Sequence, residues 1–193
     1  MLLEAIHGAA SDLPLGEFLS LLCDRLATAL NLKRAAIWCV DRERGVVRRL
    51  ATFGPPLSEQ AEEMPLTAVP AFVRFLEGES ATASHVSAIG APPKPIRGVM
   101  TLFVAPLRVG NRALGTMQGD RGGAPFGLTP EQFRLAQGLA DHAALALELA
   151  QLRAEIAALR GAASPTISSG ETPGGERSAD LVPFRDVPAS PLL

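Results

Sequence analysis

One stretch near the middle of the chain constrains the fold most: Val104–Asp120, with sequence VAPLRVGNRALGTMQGD. A run rich in apolar residues, Val99 to Arg108, meets Gly110-Asn111 and returns as Ala113 to Gln118. Apolar segments on either side of a Gly-Asn pair predict an antiparallel hairpin. The glycine-rich segment Gly119 to Phe126 predicts a loop, and a long helix is predicted from Thr129 to about Arg160. Its start is marked three ways. Thr129 is placed as the N-cap, Pro130 at the first helical position, and Gln132 where it closes a capping box.

The N-terminal half follows from the same periodicities. Met1 to Ala10 is a short helix candidate, and Asp12 a candidate cap for a second helix, with Pro14 in its first turn. Leu15, Phe18, Leu19, Leu22, Leu26 and Leu30 form one helical stripe, and Asn31 is a suitable stop. Arg34 to Asp41 and Val46 to Thr52 predict two strands around the turn Arg42–Gly45. Residues 57–66 carry no clear period. Val69 to Leu76 predicts a short helix and Ala81 to Val86 a weak strand. Three prolines in Gly90–Pro95 predict a loop. This order defines an α+β domain over residues 1–160, built on a largely antiparallel sheet with helices packed against it. From Gly161 the composition shifts to Pro, Gly and Ser, so 161–193 is read as a disordered tail with one apolar island at Leu181, Val182, Phe184 and Val187.

Composition excludes several function classes. The 193 residues are 47% hydrophobic with a formal charge of −2, which offers no global attraction to nucleic acid or an anionic membrane. No apolar run approaches the roughly 18–20 residues that span a bilayer. A secretory leader is not expected, because the N-terminus lacks a basic region and Glu4 and His7 interrupt its apolar residues. The two cysteines, Cys23 and Cys39, lie inside apolar periodic segments and read as buried thiols of a reduced, cytoplasmic protein. The local basic run Lys33, Arg34, Arg42, Arg44, Arg48 and Arg49 reads as the solvated end and outer face of the first hairpin, the sharper alternative being a patch for an acidic partner.

The second hairpin and the segment after it resemble the GAF domains of bacterial signalling proteins. The resemblance rests on Pro106-Leu107, Gly110, Leu114-Gly115, Phe126, the Leu-Thr-Pro-Glu entry at 128–131, and Ala140, His142, Ala143 and Ala146. Arg34–Asp41 is similar to the first strand of that family. It covers roughly residues 1–160. The resemblance implies terminal helices on one face of the sheet and a ligand pocket on the other. It implies a pocket wall at Trp38, whose counterpart is often a pocket-lining tyrosine, and at Met100, Leu102 and Val104. Strand alternation places Ala36, Trp38 and Val40 on one face, with Ile37 and Cys39 on the other. His85 is a candidate polar pocket group, the plainer reading being an exposed or satisfied histidine.

Family subclasses are separable by residue. Covalent bilin is disfavoured because Pro92–Arg97 holds neither cysteine nor histidine. Cyclic nucleotide is disfavoured because Phe126 and Asp141 are present without the rest of the family's signature. A sulfoxide-reductase chemistry needs an exposed thiolate, which neither cysteine's setting supplies. Gly119–Gly123 lacks the Lys-Ser/Thr of a phosphate loop. No enzyme is expected, no metal is assigned, and the cofactor is unknown. In the last helix Leu145, Leu149, Leu152, Ile156 and Leu159 alternate spacings of four and three, a heptad seam. The resulting expectation is a homodimeric small-molecule sensor that passes its state to a separate output protein. The alternative is a ligand-free dimerisation module of the same fold.

Overall fold

The computed structural model describes residues 13–55, 61–78, 80–85 and 99–162. Helix α1 spans Leu15–Leu30, strand β1 Arg34–Asp41, β2 Val46–Phe53 and β3 Glu63–Pro65. A 3-10 turn over Leu66–Ala68 leads into helix α2, Pro70–Glu77. Strands β4 (Thr82–His85), β5 (Thr101–Val109) and β6 (Arg112–Asp120) follow, and helix α3 runs over Pro130–Ala162. Among the described residues the strands form a six-stranded sheet, ordered β3-β2-β1-β6-β5-β4, with every pairing antiparallel. The α+β class and the antiparallel sheet expected from the sequence are therefore what the chain adopts.

Local chemistry sets most boundaries. Thr129 N–H donates to Gln132 Oε1 at 2.9 Å and Gln132 N–H to Thr129 Oγ1 at 3.3 Å, so the capping box forms. Asn31 ends α1 in the left-handed conformation, φ 50°, and its N–H reaches the carbonyls of Ala27 and Thr28. The start of α1 differs from expectation. The helix begins at Leu15 with Pro14 at its N-cap and no side-chain cap, while the expected cap Asp12 lies outside the described residues. So do the candidate helix 1–10, the loop at 90–95 and the expected tail from 163 onward.

Strand β5 starts at Thr101 rather than Val99, because its pairing with β4 begins at Thr101, opposite His85. It holds Pro106 in its interior. The proline is tolerated because the four-residue β4 pairs only as far as Val104, leaving that stretch of β5 an edge.

The main core lies between one sheet face and the two long helices. Leu19, Leu22, Leu26 and Leu30 of α1 meet Ile37, Phe103, Leu107 and Met117 of the sheet, and Ala136, Leu139, Ala140 and Ala143 of α3 close the layer. Each fully buried leucine contributes roughly 1.5–3 kcal/mol by leaving water. The alanines of α3 are the reason it lies close to the sheet. Gly115 allows a similar approach: a Cβ there would collide with the backbone oxygen of Trp38.

Two bulges re-phase the sheet. In β2, Leu50 is left without a partner between Ile37↔Ala51 and Trp38↔Arg49. Leu50 and Ala51 therefore both pack on the helix side, while Arg49 and Thr52 turn to the other face. In β6, Leu114 is skipped in the same way opposite β5.

Candidate functional site

The sheet face away from α1 and α3 carries a smaller apolar cluster and two clefts. Trp38, Val47 and Ala113 on the sheet meet Phe72 and Leu76 of α2, with Ala36, Val40, Met64 and Val69 around them. Helix α2 is short and presents those two apolar residues one turn apart. Arg108 fastens its C-terminus, donating from Nη1 to the carbonyls of Leu76 at 2.9 Å and Gly78 at 3.3 Å. These are helix-end carbonyls with no intrahelical partner, so the arginine satisfies acceptors the short helix cannot.

The first cleft, of about 240 Å³, opens between the edge of Trp38 and Leu102. Ala36, Val99 and Phe53 give it apolar walls, and Arg34, Arg49, Gln118 and Asp120 give it polar ones. Arg34 and Asp120 face one another from adjacent strands, paired in register. Arg34 Nε donates to Asp120 Oδ2 at 3.0 Å and Nη2 to Oδ1 at 2.6 Å. The same carboxylate accepts the Gly122 N–H at 2.7 Å, which folds the loop after β6 back on the strand. The Arg49 guanidinium lies over the Trp38 ring, 5.7 Å from its centroid. Gln118 Nε2 donates to the buried Thr116 Oγ1 at 2.9 Å. The second cleft, of about 290 Å³, lies between α2 and the β4–β5 edge, lined by Arg74, Phe75, Ser84, Val104 and Pro106 among others.

The residues expected to form one wall are thus divided. Trp38 and Leu102 line the first cleft, but Trp38 is only 2% exposed and packs mainly under α2. Val104 lines the second. Val40 packs beside Trp38 and lines neither of these two clefts. Met100 lines neither of these two clefts: it precedes β5, is 47% exposed, and its N–H reaches the Gly122 carbonyl at 3.2 Å. His85 ends β4 opposite Thr101, and its side chain lies outside the described set.

Sequence reasoning missed Arg34, Arg49, Gln118 and Asp120 as cleft residues. By position along the chain Arg34 and Arg49 belong to the basic run, which reads as a solvated face. Arg42, Arg44 and Arg48 are exposed, and Arg44 pairs with Glu63 at 2.8 Å. Arg34 shares its alternation face with Trp38, which was the available signal.

Both thiols are shielded. Cys23 is fully buried in the main core and its pKa is pushed up to about 12 by desolvation, against a weaker opposing hydrogen bond from the Ile37 backbone. Cys39 is partly buried; desolvation raises its pKa too, with Arg48 opposing. Neither setting favours a thiolate nucleophile. Among the described residues, no group of three His, Cys, Asp or Glu side chains is placed to hold a metal ion, and no helix is long and apolar enough to cross a membrane. On α3, Leu145, Leu149, Leu152, Ile156 and Leu159 are 44–71% exposed and form one stripe, while Leu139 and Leu147 are buried against the body.

Comparison with known proteins fixes the family. The GAF domain family model matches residues 15–149, and the chain belongs to that family. Among solved structures, the PixJ GAF domain of Thermosynechococcus elongatus, in its blue-light absorbing form, is similar at a TM-score of 0.58 and 17% identity, covering 76% of this chain and 93% of that one. A segment of a methyl-accepting chemotaxis protein, residues 122 to 287, aligns at a TM-score of 0.62 and 16% identity, covering 78% and 98%. Free methionine-R-sulfoxide reductase from Neisseria meningitidis aligns at 0.60 and 14% identity, covering 77% and 87%. At these identities the likeness is one of fold. No curated protein matches significantly in sequence.

Proposed function

We propose that this chain is a sensory, non-catalytic domain that binds a small molecule in the Trp38 cleft and regulates a separate partner protein from the cytoplasm. The observation that carries this reading is the cleft itself. It is an open space of about 240 Å³ with apolar walls and a few convergent polar groups, on the sheet face the helices leave free. Its contacts run through Trp38 to α2 and through β1 and β6 to the two long helices. Differential binding to two arrangements of those elements is what a sensor requires.

The exposed stripe on α3 supports a homodimer. Five large apolar side chains on one helical face, four of them past the last buried residue Leu147, gain most by meeting a second copy. Similarity to a segment of a methyl-accepting chemotaxis protein agrees with a signalling role. A ligand-free interaction module is the second reading. The near-complete burial of Trp38 under Phe72 and Leu76 favours it, because that part of the face is already filled.

Native mass spectrometry of the protein purified from its own host separates the two. A dimer carrying an added small-molecule mass is the expected result. A dimer of bare polypeptide mass moves the assignment to the interaction module, and a monomer at micromolar concentration removes the role given to the α3 stripe.

A further inference from the structure

Three charged side chains line the Trp38 cleft: Arg34, Arg49 and Asp120. Two of them neutralise each other in the bidentate pair described above. Arg49 is different. Among the described residues no carboxylate stands within ion-pair distance of it. Among the described residues the partner of its side chain is the Trp38 ring. Stacking uses the face of a guanidinium and leaves its N–H edge without acceptors. The side chain is half-buried, so those donors are partly withdrawn from water at the wall of a cleft.

Among its described residues the cleft therefore presents one uncompensated positive charge beside apolar surface from Val99, Leu102 and Ala36. We propose that it binds a small organic monoanion: a carboxylic acid with a single ring or a short branched apolar body. The carboxylate takes the Arg49 edge, and the body lies against Leu102 and Val99. A carboxylate matches the guanidinium fork in a way a neutral amide does not. Among the described residues a second negative charge on the ligand meets no further cation, because Arg34 is held by Asp120, and it is repelled by the Asp120 carboxylate. Dicarboxylates and phosphate dianions are disfavoured on that ground. At about 240 Å³ the cleft is smaller than the roughly 300–1,000 Å³ that encloses a drug-sized ligand, which suits a body of about one ring.

The inference rests on the sensing reading and specifies its ligand class. The chain supplies its own reporter, because Trp38 is its single tryptophan and it has no tyrosine. Full-length protein is titrated with phenylacetate, phenylacetamide and phenylmalonate while Trp38 emission is followed, in the wild type and in Arg49→Gln and Arg49→Lys. The expected result is a preference of about tenfold for phenylacetate over the amide and over the dianion. Arg49→Gln loses that preference, and Arg49→Lys keeps part of it. Unchanged thermal melting confirms that the variants are folded. Equal binding of acid and amide, or a preference that survives Arg49→Gln, overturns the anion proposal and leaves a sensor of neutral apolar molecules. No response to any of the three compounds also overturns it, and the sensing reading then stands or falls on the native mass measurement alone.

Discussion

The two faces of the sheet are built from the same strands and solve different problems. On the helix face, Phe103, Ile37, Met117 and Leu107 are fully buried and meet complementary side chains from α1 and α3. On the other face, a smaller cluster under a two-turn helix is flanked by two clefts, with a part-buried ion pair and a stacked arginine among the apolar groups. Alternation puts stability and recognition one residue apart along a strand. A fold arranged this way can vary one face widely while the other keeps it folded.

Adjacent residues of β5 test this most sharply. Phe103→Ala is expected to cost about 3–5 kcal/mol in chemical denaturation, since the ring is wholly buried. Leu102→Ala, half-buried at the cleft, is expected to cost about 1 kcal/mol or less. Equal losses would mean that the cleft face carries the fold as much as the helix face does.

The ion pair gives the next largest effect. Arg34→Met leaves the Asp120 carboxylate buried with, among the described residues, the Gly122 N–H as its remaining donor, and a loss of about 2–3 kcal/mol is expected near neutral pH. The double variant Arg34→Met with Asp120→Leu is expected to recover part of it. Failure to recover would show that the pair holds the loop after β6 rather than only neutralising charge.

The helix face has a pH signature of its own. Cys23 has its pKa raised from 9.0 to about 12 in the folded chain. The folded state then holds a proton that the unfolded state gives up, so this contribution is intact below about pH 9. It declines as pH rises toward 12, by about 1 kcal/mol per pH unit. Denaturation at pH 8 and pH 10 is expected to show a steeper alkaline loss in wild type than in Cys23→Ala. Identical slopes would mean that the thiol is hydrated.

The smallest effect is expected at the entry to α3. Thr129→Ala removes one side of the capping box and is expected to cost about 1 kcal/mol. A much larger loss would make that helix start, and not the alanine seam, the main tether of α3.

Local features were legible in the sequence and tertiary ones were not. The second hairpin, the Asn31 stop and the capping box at Thr129 depend on residues within four positions of each other. The helix face followed from the spacing of Leu19, Leu22 and Leu26. Strand β3 escaped notice because three residues, Glu63–Pro65, are a strand only through their pairing with β2. Arg34 and Asp120 are 86 positions apart, and nothing local says that β1 and β6 are neighbours. Arg49 shares the alternation face of Val47, but only the pairing of β2 with β1 sets it opposite Trp38, and the place of Thr52 depends on a bulge at Leu50 that alternation counted from Val46 does not anticipate. Met100 was placed on a strand that begins one residue after it.

Helix α3 spans 33 residues, about 50 Å at 1.5 Å per residue. Its last fully buried side chain is Leu147, and Arg112 at the tip of the second hairpin pairs with the next residue, Glu148. From there to Ala162 the helix overhangs by about 20 Å. The molecule is thus a lever with its fulcrum at the hairpin tip. A tilt of about 5° at the sheet, within what a repacked interface absorbs, displaces the free end by about 2 Å. No part of the overhang has to change its own conformation for that displacement to be felt.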